Sequence, residues 1–313
     1  MDLNGDGLND ILIGSYSGRP QLIMQTKDGY GTPTSVVDKN GDFVVLSNYW
    51  NDEIEDWSQA EHTGTEGHCT SVASVDWDDD GDMDLLLGCY RNGGLYLRLN
   101  EGSATEMKFA ATNQPVKVGD EAVAFEGGIG APRIADWDND GLFDIVIGTI
   151  YGEVVLLRNA GSQGEPSFPE MTTLVEPLPG AAGAKQIKRV PFEDGSPVAP
   201  GSSFHIEVVD YDHDGDLDLL VGGRSQWLTG PEKEPTAEDL ERQKRLTEES
   251  GVAWDKFKEF SDTAPDKEAL KELRATEKFQ TLLKNYHTLR VAAYAITADP
   301  VENGDFVWLF RRK

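Results

Sequence analysis

The sequence predicts an all-β fold, a β-propeller of repeated blades, with a helical hairpin inserted in the last blade. Three observations predict it. One acidic loop pattern recurs four times in the same frame, short strand-like runs stand at the same places around the copies, and the composition turns helical after residue 230.

The four copies align without gaps as DLNGDGLNDILIG (2–14), DWDDDGDMDLLLG (76–88), DWDNDGLFDIVIG (136–148) and DYDHDGDLDLLVG (210–222). Each has Asp at positions 1, 5 and 9, Asp or Asn at 3, Gly at 6, three apolar residues at 10 to 12 and Gly at 13. They start 74, 60 and 74 residues apart, so the unit is roughly 60 residues with loop insertions. Strand-like stretches precede the last three loops: TSVASV (70–75), APRIA (131–135) and FHIEVV (204–209). A further strand follows the loop and its apolar triplet: PQLIMQ (20–25), GLYLRL (94–99) and EVVLLR (153–158). These runs are short, rich in β-branched and aromatic residues, bounded by Gly and Asn, and lack a helical period. Strand, loop, strand, turn, strand is a meander, and its repetition reads as blades. The first copy begins at Asp2, directly after Met1, without the strand that precedes the others. The chain therefore reads as a fragment or as one with a misplaced start, and its lack of a signal peptide carries no message about location.

The loop chemistry points to calcium. Calcium takes six to eight oxygen ligands, several of them carboxylates. Side chains at positions 1, 3 and 5 of a tight loop can turn to one centre, and Gly at 6 permits the positive φ that folds the chain back. An EF-hand opens in the same way but closes with Glu at position 12. Here position 12 is Ile13, Leu87, Ile147 or Val221, inside a predicted strand, and the closing acid stands at position 9. Three or four carboxylates held so close repel one another unless a cation joins them. A solvated acidic turn explains one such loop more readily than four in one frame. Magnesium fits less well, because it keeps a hydrated octahedron.

This pattern, followed by three apolar residues and Gly, resembles the FG-GAP/VCBS repeat of integrin α-subunit propellers and bacterial surface proteins. The resemblance covers roughly residues 1–230 and a final strand near 304–313. It implies a calcium-binding propeller with up to four ions. The implied side-chain ligands of the first loop are Asp2, Asn4, Asp6 and Asp10, with the carbonyl of Leu8. Those of the second are Asp76, Asp78, Asp80 and Asp84, with the carbonyl of Asp82. Asp136, Asp138, Asp140 and Asp144 follow, with Leu142, and then Asp210, Asp212, Asp214 and Asp218, with Asp216. His213 takes position 4, which is expected to face solvent. Propellers of this family usually have more blades than the four loops counted here. The implied function is an extracellular or cell-surface binding or adhesion module, with calcium structural and a protein or glycan ligand at the loop face. The alternative is a calcium-dependent, lyase-like enzyme acting on polysaccharides, since some lyases resemble this propeller. Fold alone does not decide between them.

The expected domains are the blades at 1–230, a helical insertion at 231–290 and final propeller strands at 291–313. From Pro231 the composition turns to Glu, Lys, Leu and Ala. Thr236 with Asp239 resembles a capping box, and helical signals run through 237–250 and stop at Gly251. A second helix is expected from Asp266 to about Leu289, with apolar residues from Leu270 to Tyr286 at helical spacing. GDFVWLFRR (304–312) then reads as a strand. The insertion is either a partner-binding arm or a decoration packed on itself.

Charge and motifs exclude other classes. Against 28 Lys+Arg stand 56 Asp+Glu, a net charge of −28, which repels nucleic acid and anionic lipid. Such acidity serves solubility, salty surroundings or cation sites, and four calcium ions leave −20. No apolar run approaches the length of a membrane span. Cys69 and Cys89 form no C-x-x-C motif and flank one loop, either as two buried thiols or as a disulfide. H-E-x-x-H, a P-loop and G-x-S-x-G are all missing from the sequence. No enzyme is therefore expected. His62 and His68, with Glu61 and Glu66, form a solvated loop or a second metal or catalytic site. Tyr49, Trp50 and Trp57 in the same insertion stack on a ligand or pack beneath the loop.

Overall fold

A computed structural model describes residues 1–90, 93–178, 190–193 and 196–312. It is mostly β, with three helices among the described residues. The chain forms two compact units, Met1–Gln226 with Asn303–Lys313, and Trp227–Glu302.

The first unit contains four small meanders, one for each acidic loop. The first sheet comprises Ile11–Ile13, Gln21–Ile23 and Thr34–Ser35. The second comprises Cys69–Val75, Asp84–Cys89, Leu95–Arg98 and Gln114–Pro115. The third comprises Ile129–Ala135, Asp144–Thr149, Val154–Leu157 and Met171–Val175. The fourth comprises Ser202–Val209, Asp218–Leu228 and Val301–Phe310. In the last three sheets the acidic loop joins the first two strands, which pair antiparallel.

The apolar triplet after each loop explains how the sheets stack. Successive side chains of a strand point to opposite faces. Leu85 and Leu87 pack with Leu22, Val36 and Leu46 on the side of the first sheet. Leu86 between them packs with Ile145 and Ile147 of the third. Val146, between these two, packs with Phe204, Leu219 and Val221 of the fourth. A strand buried on both faces reads as a continuous apolar run, not as an alternation. The outer members lack one neighbour: Ile11 is 40% exposed and Leu220 is half-buried. Among the described residues no apolar cluster joins the fourth sheet to the first, and closure of a propeller is not seen.

Gly at position 13 allows this stacking. A Cβ on Gly14 would meet Thr70 O at 2.6 Å, and one on Gly148 would meet Phe204 O at 2.7 Å. Both contacts are with the first strand of the following sheet. Gly222 meets no following sheet among the described residues, and its nearest contact, with His205 O of its own sheet, is an ordinary 3.4 Å.

Cys69 and Cys89 are directly paired across the second sheet, fully buried, as free thiols. Burial, with Cys89 alongside, pushes the Cys69 thiol up to about 12, so it stays protonated and unreactive.

In the second unit, helices α1 (Ala237–Ser261), α2 (Lys267–Arg274) and α3 (Glu277–Thr297) replace the two expected helices. The capping box at Thr236 and Asp239 is present. The stop at Gly251 is not. The aromatic face continues beyond it, with Trp254 against Tyr286 at 4.9 Å and Phe257 against Phe279 at 5.0 Å between ring centroids. Those contacts outweigh the roughly 1 kcal/mol that Gly costs inside a helix. The single helix expected from Asp266 is broken at Ala275, because Thr276 accepts a hydrogen bond from the Phe279 N–H at 3.2 Å and starts α3 afresh. This last helix runs on past residue 290, to Thr297. Pairing of Gln243 with Thr297 at one end and Phe257 with Phe279 at the other makes α1 and α3 antiparallel.

Gly148→Ala is expected to lower stability by more than 1 kcal/mol, as an overpacked site does, and Gly222→Ala to change it by less than about 0.5 kcal/mol. Chemical denaturation of the two variants checks this.

Candidate metal centre

The four loops have one hydrogen-bond pattern. The position 1 carboxylate accepts from the backbone N–H of positions 5 and 6. Asp76 takes Asp80 and Gly81 at 3.1 Å each, and Asp136 takes Asp140 and Gly141 at 3.0 Å each. Asp2 and Asp210 do the same. The position 5 carboxylate accepts from the N–H of position 7, as in Asp80 with Asp82 at 3.1 Å and Asp214 with Asp216 at 3.0 Å. Asp6 with Leu8 and Asp140 with Leu142 complete the set, at 2.9 Å each. Gly at position 6 has φ of +84° to +94° in all four loops, a region open to glycine.

Position 9 is a buried staple. Asp84 Oδ2 accepts from the Trp77 N–H at 2.9 Å, and Oδ1 from the Asn100 N–H at 2.6 Å. Asp144 repeats this with Trp137 at 2.9 Å and Asn159 at 2.7 Å. Asp218 does so with Tyr211 and Arg312, and Asp10 with Leu3 and Gln25. The first loop, which lacks a preceding strand, therefore has the same staple as the others. None of the four acids is more than 4% exposed.

Positions 1, 3 and 5 lie nearer the surface. Asp76, Asp78 and Asp80 bring ligand atoms within 4.8 Å of one another, as do Asp210, Asp212 and Asp214. In the third loop the gathered set is Asp136, Asp138 and Asp144. The first loop forms no such acidic set among the described residues, and Asn4 donates to Asp6 at 3.2 Å.

Electrostatics and unmet hydrogen bonds fit a cation. Burial, then the neighbouring Asp80, raises the Asp78 carboxyl. Burial pushes Asp82 up to about 6, reinforced by Asp80, Asp78 and Asp76. Asp84 goes up to about 7 by burial, against the two N–H groups that hold its charge. Burial raises Asp144 too. Asp138 Oδ1 and Asp82 Oδ1 are buried without a hydrogen-bond partner. A hard divalent ion suits such an all-oxygen set and relieves the repulsion. Basic side chains supply part of the countercharge. Arg158 pairs with Asp138 and lies 3.9 Å from Asp140, while Arg311 lies 3.4 Å from Asp212 and Arg312 lies 3.9 Å from Asp216.

Several of these residues escaped the reading of the sequence. Asp82 was assigned only its carbonyl, yet its carboxyl is buried beside the cluster. Asn100 and Asn159 close the staple and also order the turn beyond, each side chain accepting two backbone N–H groups. Their signal was a second repeat, N-E-G-S and N-A-G-S, at 16 and 15 residues after the position 9 acid. Position 4 is the other. Gly5, Asp79, Asn139 and His213 all have φ between +59° and +70°, the left-handed region that Gly, Asn, Asp and His tolerate best. His213 does face solvent.

A family model for the FG-GAP-like repeat matches residues 76–147, the second loop through the strand after the third. Residues 76–147 are thus similar to an FG-GAP-like repeat. No curated protein and no solved structure matches it.

Asp84→Ala orphans two backbone donors, at about 1–3 kcal/mol each. It should lower the melting temperature even with chelator present. Asp78→Ala should leave the chelated protein's melting temperature unchanged or higher, because the burial and repulsion that raise its carboxyl outweigh the backbone N–H contacts it loses. Thermal melts of both variants in EDTA check the distinction.

Proposed function

We propose that this chain is a calcium-stabilised binding or adhesion module of the extracellular space or cell surface, whose sheets are blades of a β-propeller. The observation that carries the reading is the identity of the loop in four places, with acids gathered in three. Calcium is structural. It is held by positions 1, 3, 5 and 9 and the carbonyl of position 7: Asp2, Asn4, Asp6, Asp10 and Leu8, and the corresponding sets of the other loops. The bound ion supplies positive charge at the centre of each acidic set. The chain's part is to hold the carboxylates close before the ion arrives, through the N–H groups that grip positions 1, 5 and 9. The proposed domain division keeps 1–230 as propeller and 231–290 as a helical insertion, while 291–297, expected as propeller, belong to helix α3, and the final strand is Val301–Phe310.

FG-GAP-like repeats are typically noncatalytic binding modules, which favours a protein or glycan ligand over turnover. Aromatic rings support a contact surface. Trp50 and Trp57 pair across the Asn48–Asn51 and Asp56–Gln59 hairpin, with ring centroids 6.2 Å apart. Tyr16 packs on Trp57, His68 and Tyr90. Tyr16 is 61% exposed and Trp57 41%, so both offer ring surface to a ligand.

Calorimetry should count up to four calcium ions, with the loop lacking a fourth acid the weakest. Saturating calcium should raise the melting temperature by several degrees, since an ion at about 100 times its Kd adds about 2.7 kcal/mol. A melt indifferent to both calcium and EDTA contradicts the proposal.

A further inference from the structure

A separate group of ligand atoms lies away from the repeated loops, in the first unit. Asp38, Asp42 and His62 each bring one ligand atom to within 4.8 Å of the others. The group differs from the loops in chemistry, because it contains an imidazole. It also differs from the cluster that the sequence pointed to, because His68 turns into the aromatic group around Tyr16.

The decisive atom is Asp38 Oδ2. The Asp38 side chain is fully buried, and this oxygen accepts no hydrogen bond. Its partner oxygen, Oδ1, accepts from the Asn40 and Asp42 N–H groups at 2.8 and 3.2 Å. Buried carboxylate oxygens normally have partners. The nearest cation, Arg98 Nη1, lies 3.9 Å away. Arg98 is itself fully buried and its donors go elsewhere: to Asn113 Oδ1 at 2.8 Å, Ala110 O at 2.7 Å and Val45 O at 2.9 Å. It balances the charge of Asp38 without satisfying Oδ2. His62 Nε2 also lies 3.9 Å from this oxygen, the spacing of two groups that face a common centre and do not bond each other.

Both sides of the group are held. The turn carrying Asp38 and Asp42 closes through the Asp38 N–H to Asp42 O at 2.8 Å, and docks through the Lys39 N–H to Phe109 O at 2.8 Å. His62 precedes Thr63, which is fully buried and donates to the carbonyls of Leu46 and Ala60. The His62 side chain itself is 40% exposed, so the site opens to solvent.

We propose that Asp38, Asp42 and His62 bind a divalent transition-metal ion of the zinc class. With Asp38 balanced by Arg98, the remaining charge is that of Asp42, which a divalent ion reverses to +1. One nitrogen and two carboxylate ligands suit zinc or cobalt, whereas calcium selects oxygen alone. Three protein ligands leave a position for solvent.

The test uses the full chain with calcium at saturation, so that the acidic loops are filled. Zinc is titrated by calorimetry, and cobalt is followed by its visible absorption. The wild type should bind one zinc ion per chain beyond the calcium, and cobalt should give a visible band. Losing a second-shell partner alone costs about 10–100-fold in affinity. His62→Ala, at an exposed side chain, should therefore cost about 100-fold or more and abolish the cobalt band. Asp42→Asn should weaken zinc, and His213→Ala should leave it unchanged. Absence of zinc binding in the wild type, or equal binding by His62→Ala, overturns the proposal and leaves Asp38 as the counter-ion of Arg98. If calcium fails to bind the loops, the zinc result still stands or falls on His62.

Discussion

A buried carboxylate with two backbone partners is the constraint on which each sheet depends. The position 9 Asp lies at the start of the second strand, yet its N–H donors come from the loop's beginning and from the residue just past the following strand. One side chain thus ties three segments together. Removing it exposes unsatisfied donors inside the protein, where no water replaces the bond. With position 9 fixed, positions 1 and 5 can use their oxygens to order the turn. What remains is a rim of crowded acids near the surface, the group to which the proposed calcium would bind.

The same strands connect loop to core. The second and third apolar triplets send their middle residue to one neighbouring sheet and their outer residues to the other. Position 13 must be Gly in the first and third copies, since the next sheet's backbone passes within 2.6–2.7 Å of where a Cβ would stand at Gly14 and Gly148. A thirteen-residue motif therefore encodes an acidic loop, a staple and two packing faces. The insertions between motifs have no such double duty. One of them, before the second loop, brings Trp57 and His62 to the protein's surface.

Much of this was legible in the sequence, because the loop is repeated and repetition separates constraint from accident. The loops and the strands flanking them follow from the thirteen-residue frame, but which acids gather does not: positions 1, 3 and 5 in the second and fourth loops, and 1, 3 and 9 in the third. The closing partners of the staple were harder to see. A backbone N–H carries no side-chain signature, and only the Asn at 100 and 159 marked the place. Position 4 does face solvent, but its left-handed backbone carried no signature because four different residues share it. In the helical unit, local propensity makes Gly251 a stop, and the packing of Trp254 and Phe257 overrides it, while helical spacing alone gave no sign of the cap at Thr276. His62 lies 24 residues from Asp38, and only the fold brings them together.

The central claim is that the position 9 acid staples the loop to its sheet. Amide hydrogen exchange in calcium tests it most directly, at Trp77, Trp137, Asn100 and Asn159. These amides should exchange in the slowest class, near the rate of global unfolding. Exchange as fast as that of exposed loop amides such as Asp79 would contradict it.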